Sequence, residues 1–82
     1  MKYTLIKFEQ ENCGPCQSVQ AYLDNHEVNV KKVNPFEEPA IAGQFKISTL
    51  PTLILIDENG NEVKRSKGFN TNELDELVAM MQ

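Results

Sequence analysis

The chain holds two cysteines, Cys13 and Cys16, and they enclose Gly14 and Pro15. Residues at i and i+3 across the first turn of a helix have Cβ atoms about 5–6 Å apart, near enough for two thiols to bridge after a small adjustment. A bridge over so short a loop removes little chain entropy, so the pair suits chemistry better than stabilisation. The first thiol would sit at the helix N-terminus, where unpaired N–H groups and the helix dipole favour an anion and lower its pKa. The second would lie one turn inside and be less exposed. This asymmetry suits a two-step exchange. Cys13 attacks a disulfide in a target and forms a mixed disulfide, and Cys16 then attacks Cys13 and releases the target as a dithiol. Pro15 stiffens the turn and so helps to set the potential.

Such a pair can also be half of a zinc site. Zinc wants four ligands, and the only other strong candidate is His26, so a redox-active Cys13–Cys16 disulfide with no bound metal or cofactor is the expectation. His26 is read as a surface residue at a helix end, where it is favourable to the dipole. Glu9 and Glu11 read as a solvated loop close enough to Cys13 to oppose its ionisation slightly.

The elements that must hold the pair follow from hydrophobic spacing. Residues 3–8 read as a strand that is apolar on both sides near its middle, followed by a polar loop, Glu9 to Asn12. A helix starts at Cys13-Gly14-Pro15, because proline suits the first helical turn, and Val19, Tyr22 and Leu23 give it a buried stripe. It ends at Asp24-Asn25-His26. Residues 28–33 read as a second strand and residues 38–46 as a second helix with Ile41, Ala42 and Phe45 facing inward. Thr52 to Ile56 is a continuous apolar strand, typical of a sheet covered on both faces. Residues 57–61 form a turn around Asn59-Gly60, and Glu62 to Lys67 pairs back as an edge strand. Asn70-Thr71-Asn72-Glu73 resembles a capping box ahead of a last helix that carries Leu74, Leu77, Val78 and Met81 on one face. Tyr3, Phe8, Tyr22, Phe36 and Phe45 read as core, while Phe69 is left undecided. The order is β-α-β-α-β-β-α, an α/β architecture whose first crossover is right-handed by the usual rule.

Composition narrows the partners. Eighty-two residues allow one small domain, residues 1–82, and the 40% hydrophobic share is enough for one core. Twelve acids against eight bases give a net charge of −4, which disfavours nucleic acid and an anionic membrane surface as partners. The longest apolar run, Leu53 to Ile56, is far short of a membrane span, and residues 1–7 lack the apolar stretch of a signal peptide. A cytoplasmic, reducing location and a monomer are the expectations.

The tetrapeptide Cys13-Gly14-Pro15-Cys16 after a first strand, with Thr49-Leu50-Pro51-Thr52 ahead of an apolar strand, resembles thioredoxin. Asp57 to Gly60 followed by Gly68 is similar to the thioredoxin hairpin and the glycine after its last strand. Lys32 falls where the family carries a lysine before its second long helix. The likeness spans residues 3–82. It implies a thioredoxin-like fold, here a four-stranded mixed sheet with helices on both faces, and a dithiol that reduces protein disulfides. It implies a cis bond before Pro51, beside the cysteines, so that backbone groups of Leu50 could pair with an extended target segment. Asn12, Thr49, Leu50 and Gly68 would then border the bound target. The electron donor it implies is a flavin- and NADPH-dependent thioredoxin reductase.

This chain also departs from the family. It begins at the strand leading to the cysteines, where thioredoxins usually have another strand and helix. Asn12 stands where the family usually has Trp. Lys7 stands where the family has a buried acid assigned as a proton relay for the second cysteine. A cation there would favour a thiolate, but a buried lysine is costly unless neutral or snorkelling, and the expectation is that solvent supplies the relay. Lys32 reads first as a plain surface lysine, with a role near Cys16 as the alternative. Two competing readings remain. One is a glutaredoxin-type or ribonucleotide-reductase-dedicated redoxin, supported by size but opposed by Gly-Pro where glutaredoxins usually have Pro-Tyr. The other is a non-catalytic thioredoxin-fold binding module, opposed by the presence of both cysteines and Pro51.

Overall fold

A computed structural model describes residues 2–82. The elements are β1 (Thr4–Phe8), α1 (Gly14–Asn25), β2 (Lys31–Val33), α2 (Pro39–Gln44), β3 (Thr52–Ile56), β4 (Glu62–Lys67) and α3 (Thr71–Met81). They form the mixed sheet β2-β1-β3-β4. β1 pairs parallel with β2 across the α1 crossover and antiparallel with β3, which pairs antiparallel with β4.

The alternation of side chains along a strand divides the core between two faces. Leu5, Leu53 and Leu55 turn to one face, where α1 supplies Val19 and Leu23 and α3 supplies Leu74, Leu77 and Val78. Ile6, Phe8, Val33 and Ile54 turn to the other, where Ile41, Ala42 and Phe45 pack from α2 and its end. The helices therefore lie on both faces, and the continuous apolar run of β3 is explained by cover on each side. Lys7, between Ile6 and Phe8, is committed by the same alternation to the α1 face.

Several boundaries differ from the sequence reading. β2 covers only 31–33, because the ladder with β1 begins at Ile6 opposite Lys31. Val28 is buried in the α1–α3 core, and its N–H closes the end of α1 on Leu23 O instead of joining the sheet. α2 stops at Gln44, and Lys46 has a left-handed φ of 54° that turns the chain out of the helix. Phe36 is not core. It is 75% exposed, because Asn34 folds a tight turn beneath it: Asn34 Oδ1 accepts from Phe36 N, and Asn34 O accepts from Glu37 N and Glu38 N. Phe69 is 50% exposed. The α3 cap is half of the expected box. Asn70 Oδ1 accepts from Glu73 N, but Glu73 Oε1 turns to Ser66 Oγ and Lys67 N, tying the helix to β4. At the hairpin, Asp57 Oδ1 accepts from Asn59 N and Asn61 N, and Gly60 takes the positive φ of 83° that the turn needs.

Candidate active site

Cys13 is the N-cap of α1, with an extended backbone, and Gly14 and Pro15 follow it as exposed residues of the first turn. Proline loses nothing there, since the first N–H groups of a helix have no intrahelical partner. Cys13 Sγ accepts from the backbone N–H of Cys16 at 3.2 Å, a capping bond in which sulfur takes the place of the usual side-chain oxygen. The two sulfurs are bonded, with their Cα atoms 5.2 Å apart. Both cysteines are buried, Cys13 at 8% exposed and Cys16 at 4%.

A cleft of about 240 Å³ opens beside the disulfide, lined by Lys7, Glu9, Asn12, Cys13, Cys16 and Lys32 together with Gln10, Glu11, Gln17 and Gln20. Asn12 is exposed at its rim and holds a left-handed φ of 57°. Lys32 is exposed on β2 directly opposite Lys7 in the parallel register, which turns both side chains to the α1 face. Lys7 does not snorkel. Its side chain is 1% exposed, and its Nζ donates to Gln20 Oε1 at 2.9 Å and pairs with Glu9 Oε1 at 2.5 Å. Glu9 is therefore not a plain solvated residue. Its backbone N–H is pinned to Val33 O, and its carboxylate covers the ammonium.

The cleft gathers Lys7, Asn12, Cys13, Cys16 and Lys32 from the sequence candidates. Gly14 and Pro15 lie in the first turn of α1, and Thr49, Leu50, Pro51 and Gly68 form a second group at the start of β3. The Leu50–Pro51 bond is cis, Thr52 Oγ1 donates to Thr49 O at 2.7 Å, and Gly68 N donates to Pro51 O at 2.8 Å. Gly68 takes a φ of 66°, which suits glycine. Thr49 is exposed, Leu50 packs partly against the α2-side core, and Pro51 is buried. His26 is exposed as the C-cap of α1 and stacks on Tyr22. Among the described residues, no group of three or more His, Cys, Asp or Glu is placed to hold a metal ion. No described helix is long and apolar enough to cross a membrane.

Gln20 was not singled out from the sequence. Its spacing carried a signal, because it lies four residues after Cys16 and so on the same stripe of α1 as the buried thiol. Glu9 carried another, since it follows Lys7 by two residues, the spacing that keeps side chains on one side of an extended chain.

The family model described as Thioredoxin matches residues 1–82. The chain is 45% identical over 74 residues to the SPbeta prophage-derived thioredoxin-like protein YosR of Bacillus subtilis, covering 90% of this chain and 92% of that one. It is 38% identical over 82 residues to a thioredoxin of Chlamydia caviae, covering 94% of this chain and 78% of the relative. Among solved structures, Fasciola hepatica thioredoxin superposes with a TM-score of 0.78 at 26% identity, over 99% of this chain and 82% of its own. A thioredoxin of Nicotiana alata gives 0.80 at 26% identity, over 99% and 74%.

Proposed function

The chain belongs to the thioredoxin family and is a thiol–disulfide oxidoreductase, and we propose the roles that its residues take in that exchange. Cys13 is the attacking sulfur. The observation that carries this is the bond from Cys16 N–H to Cys13 Sγ at the start of α1. A donor already aimed at that sulfur, with the helix dipole behind it, favours a thiolate on Cys13 once the disulfide is reduced. That thiolate attacks one sulfur of a target disulfide, the target's S–S bond breaks, and the departing target sulfur takes up a proton. Cys16 then loses its proton and attacks Cys13. The Cys13–target bond breaks as Cys13–Cys16 forms, and two electrons have passed from the dithiol to the target.

Gly14 and Pro15 shape the turn, and Pro51 supports the second group of residues. An extended target segment lies along Thr49, Leu50 and Gly68, with Asn12 at the rim. Substrates are protein disulfides. A flavin- and NADPH-dependent thioredoxin reductase restores the dithiol, and the chain works as one cytoplasmic, monomeric domain with no bound cofactor.

Trapping tests the assignment. Cys16→Ser keeps the attacking sulfur and removes the resolving one, so a stable mixed disulfide with a protein substrate accumulates, visible by mass and released by reductant. Cys13→Ser captures nothing. The reverse pattern, with capture on Cys16 alone, would exchange the two roles. Reduction of the oxidised chain by NADPH with a thioredoxin reductase, and not by glutathione alone, tests the donor.

A further inference from the structure

The geometry points to Lys7 as a positioning residue for the second half of the exchange: a buried ammonium, clamped by Glu9 and Gln20, that favours the thiolate of Cys16. The inference rests on the reading of Cys16 as the resolving sulfur and deepens it.

Burying an ammonium is costly unless it is paired and hydrogen-bonded. Here the amine has both an ion-pair partner and a hydrogen-bond acceptor. The side chain is 1% exposed, and its two oxygen partners come from different segments, Glu9 from the loop after β1 and Gln20 from α1. Gln20 is itself fixed, because its Nε2 donates to Asp24 Oδ1 at 2.8 Å, which leaves Oε1 turned to the lysine. A side chain that merely filled space under α1 would be served better by leucine, which β1 and β3 use elsewhere on the same face. Lys7 instead lines the cleft that both cysteines line.

The resolving step needs the proton of Cys16 to leave. A base could take it, or a nearby cation could favour the anion that remains, and the proton then passes to solvent. The second course fits an ammonium, which has no lone pair to receive a proton. The groups that face the cleft set the balance. Lys7 from β1 and Lys32 from β2 favour a thiolate, while Glu9 and Glu11 from the loop before α1 oppose it. Asp24 on α1 reaches the cluster through Gln20. Glu9 is paired with Lys7, so the ammonium offsets an acid that would otherwise oppose the thiolate. Cys13 has its own donor in the Cys16 N–H, so the effect of Lys7 falls mainly on the second sulfur.

The test separates the two sulfurs. Lys7→Met keeps the length of the side chain and removes the charge. In the otherwise unaltered chain, single-turnover release of a disulfide substrate falls about tenfold at neutral pH, and the acid limb of its pH profile moves upward. In the Cys16→Ser background, the alkylation rate of Cys13 changes less than about threefold on adding Lys7→Met, since the backbone N–H at position 16 remains as the donor to that sulfur. Above the pKa values of both thiols, a tenfold loss of thiolate stabilisation makes the reduction potential more negative by about 30 mV. Lys7→Arg restores the rate and the profile. If Lys7→Met does not fold, Lys7→Gln is read in the same assays with the same expected shifts. An unchanged release rate and profile would overturn the inference, as would equal slowing of both steps. If the unaltered chain itself releases no target, the reading of the dithiol fails instead, and the two failures are distinct.

Discussion

Arg65 grips Glu62 with two hydrogen bonds, from Nε and Nη2 to the two carboxylate oxygens, each 2.6 Å long. Those bonds hold the Glu62 carboxyl below its ordinary value of 4.5, against an opposing push from burial. A carboxylate with a depressed folded pKa stabilises the fold fully above its unfolded value, and the contribution is lost as pH falls through the folded one. Glu62→Gln therefore lowers stability at pH 7 and flattens the acid limb of a denaturation-against-pH curve below about pH 5. Both side chains are partly solvated, so the loss at pH 7 is within about 1 kcal/mol. Chemical denaturation at pH 7 and pH 3 checks this, and an equal loss at both would remove the ionic explanation. Arg65 also donates to Phe45 O, which fastens β4 to the end of α2. At this scale the sequence is legible where chemistry depends on neighbours along the chain. Cys13 and Cys16 announce themselves by type and spacing. Lys7 does not, because the partners that make its burial tolerable arrive from a loop two residues on and a helix thirteen residues away. An isolated lysine would reach for solvent, and Lys7 does not, because Glu9 and Gln20 meet its amine.

Helix α3 shows what an element owes to one side chain. Asn70 Oδ1 accepts the Glu73 N–H at 3.1 Å, satisfying one of the donors left open at a helix start. Asn70→Ala removes that acceptor and costs about 1 kcal/mol, as is usual for such caps. In a domain of this size the melting temperature falls by roughly 4–8 °C for each kcal/mol, which a thermal scan resolves easily. Thiol reactivity of the reduced chain is unchanged, because no residue of α3 lines the cleft. Asn70 was readable from the sequence as a cap, but the turn of Glu73 toward Ser66 was not, since it depends on where β4 ends. The same limit applies to β2. Val28 and Val30 alternate as a strand should, yet the first pairing with β1 comes at Lys31, because Val28 N–H is still committed to Leu23 O at the end of α1. Phe36 fails for a related reason. Hydrophobicity alone suggests core, while the Asn34 turn decides which way the ring points.

The molecule as a whole must survive opening its own disulfide at every turnover. That requirement limits how much the bridge can contribute to the fold. The loop it closes runs only from Cys13 to Cys16, a sequence separation of three. On the chain-entropy account, closing so short a loop stabilises by about 2 kcal/mol. The rest of the fold is held by surfaces that do not include the sulfurs. Val19, Leu23, Leu53, Leu55, Leu74 and Leu77 are buried on one side of the sheet, and Ile6, Phe8, Val33 and Ile54 on the other. β1 and β3 are the strands that join these two cores, and the cysteines sit at one end of α1, outside both clusters. Reduction should therefore lower the melting temperature by roughly 8–16 °C, the product of that loop term and the usual slope for a small domain. The reduced chain keeps its helical and strand signatures at 25 °C. Circular dichroism with and without a dithiol reductant measures both quantities, and the Cys13→Ser, Cys16→Ser double variant should melt with the reduced form. Unfolding on reduction would mean that the bridge is a staple, and a protein that falls apart when charged with electrons could not carry them to a target.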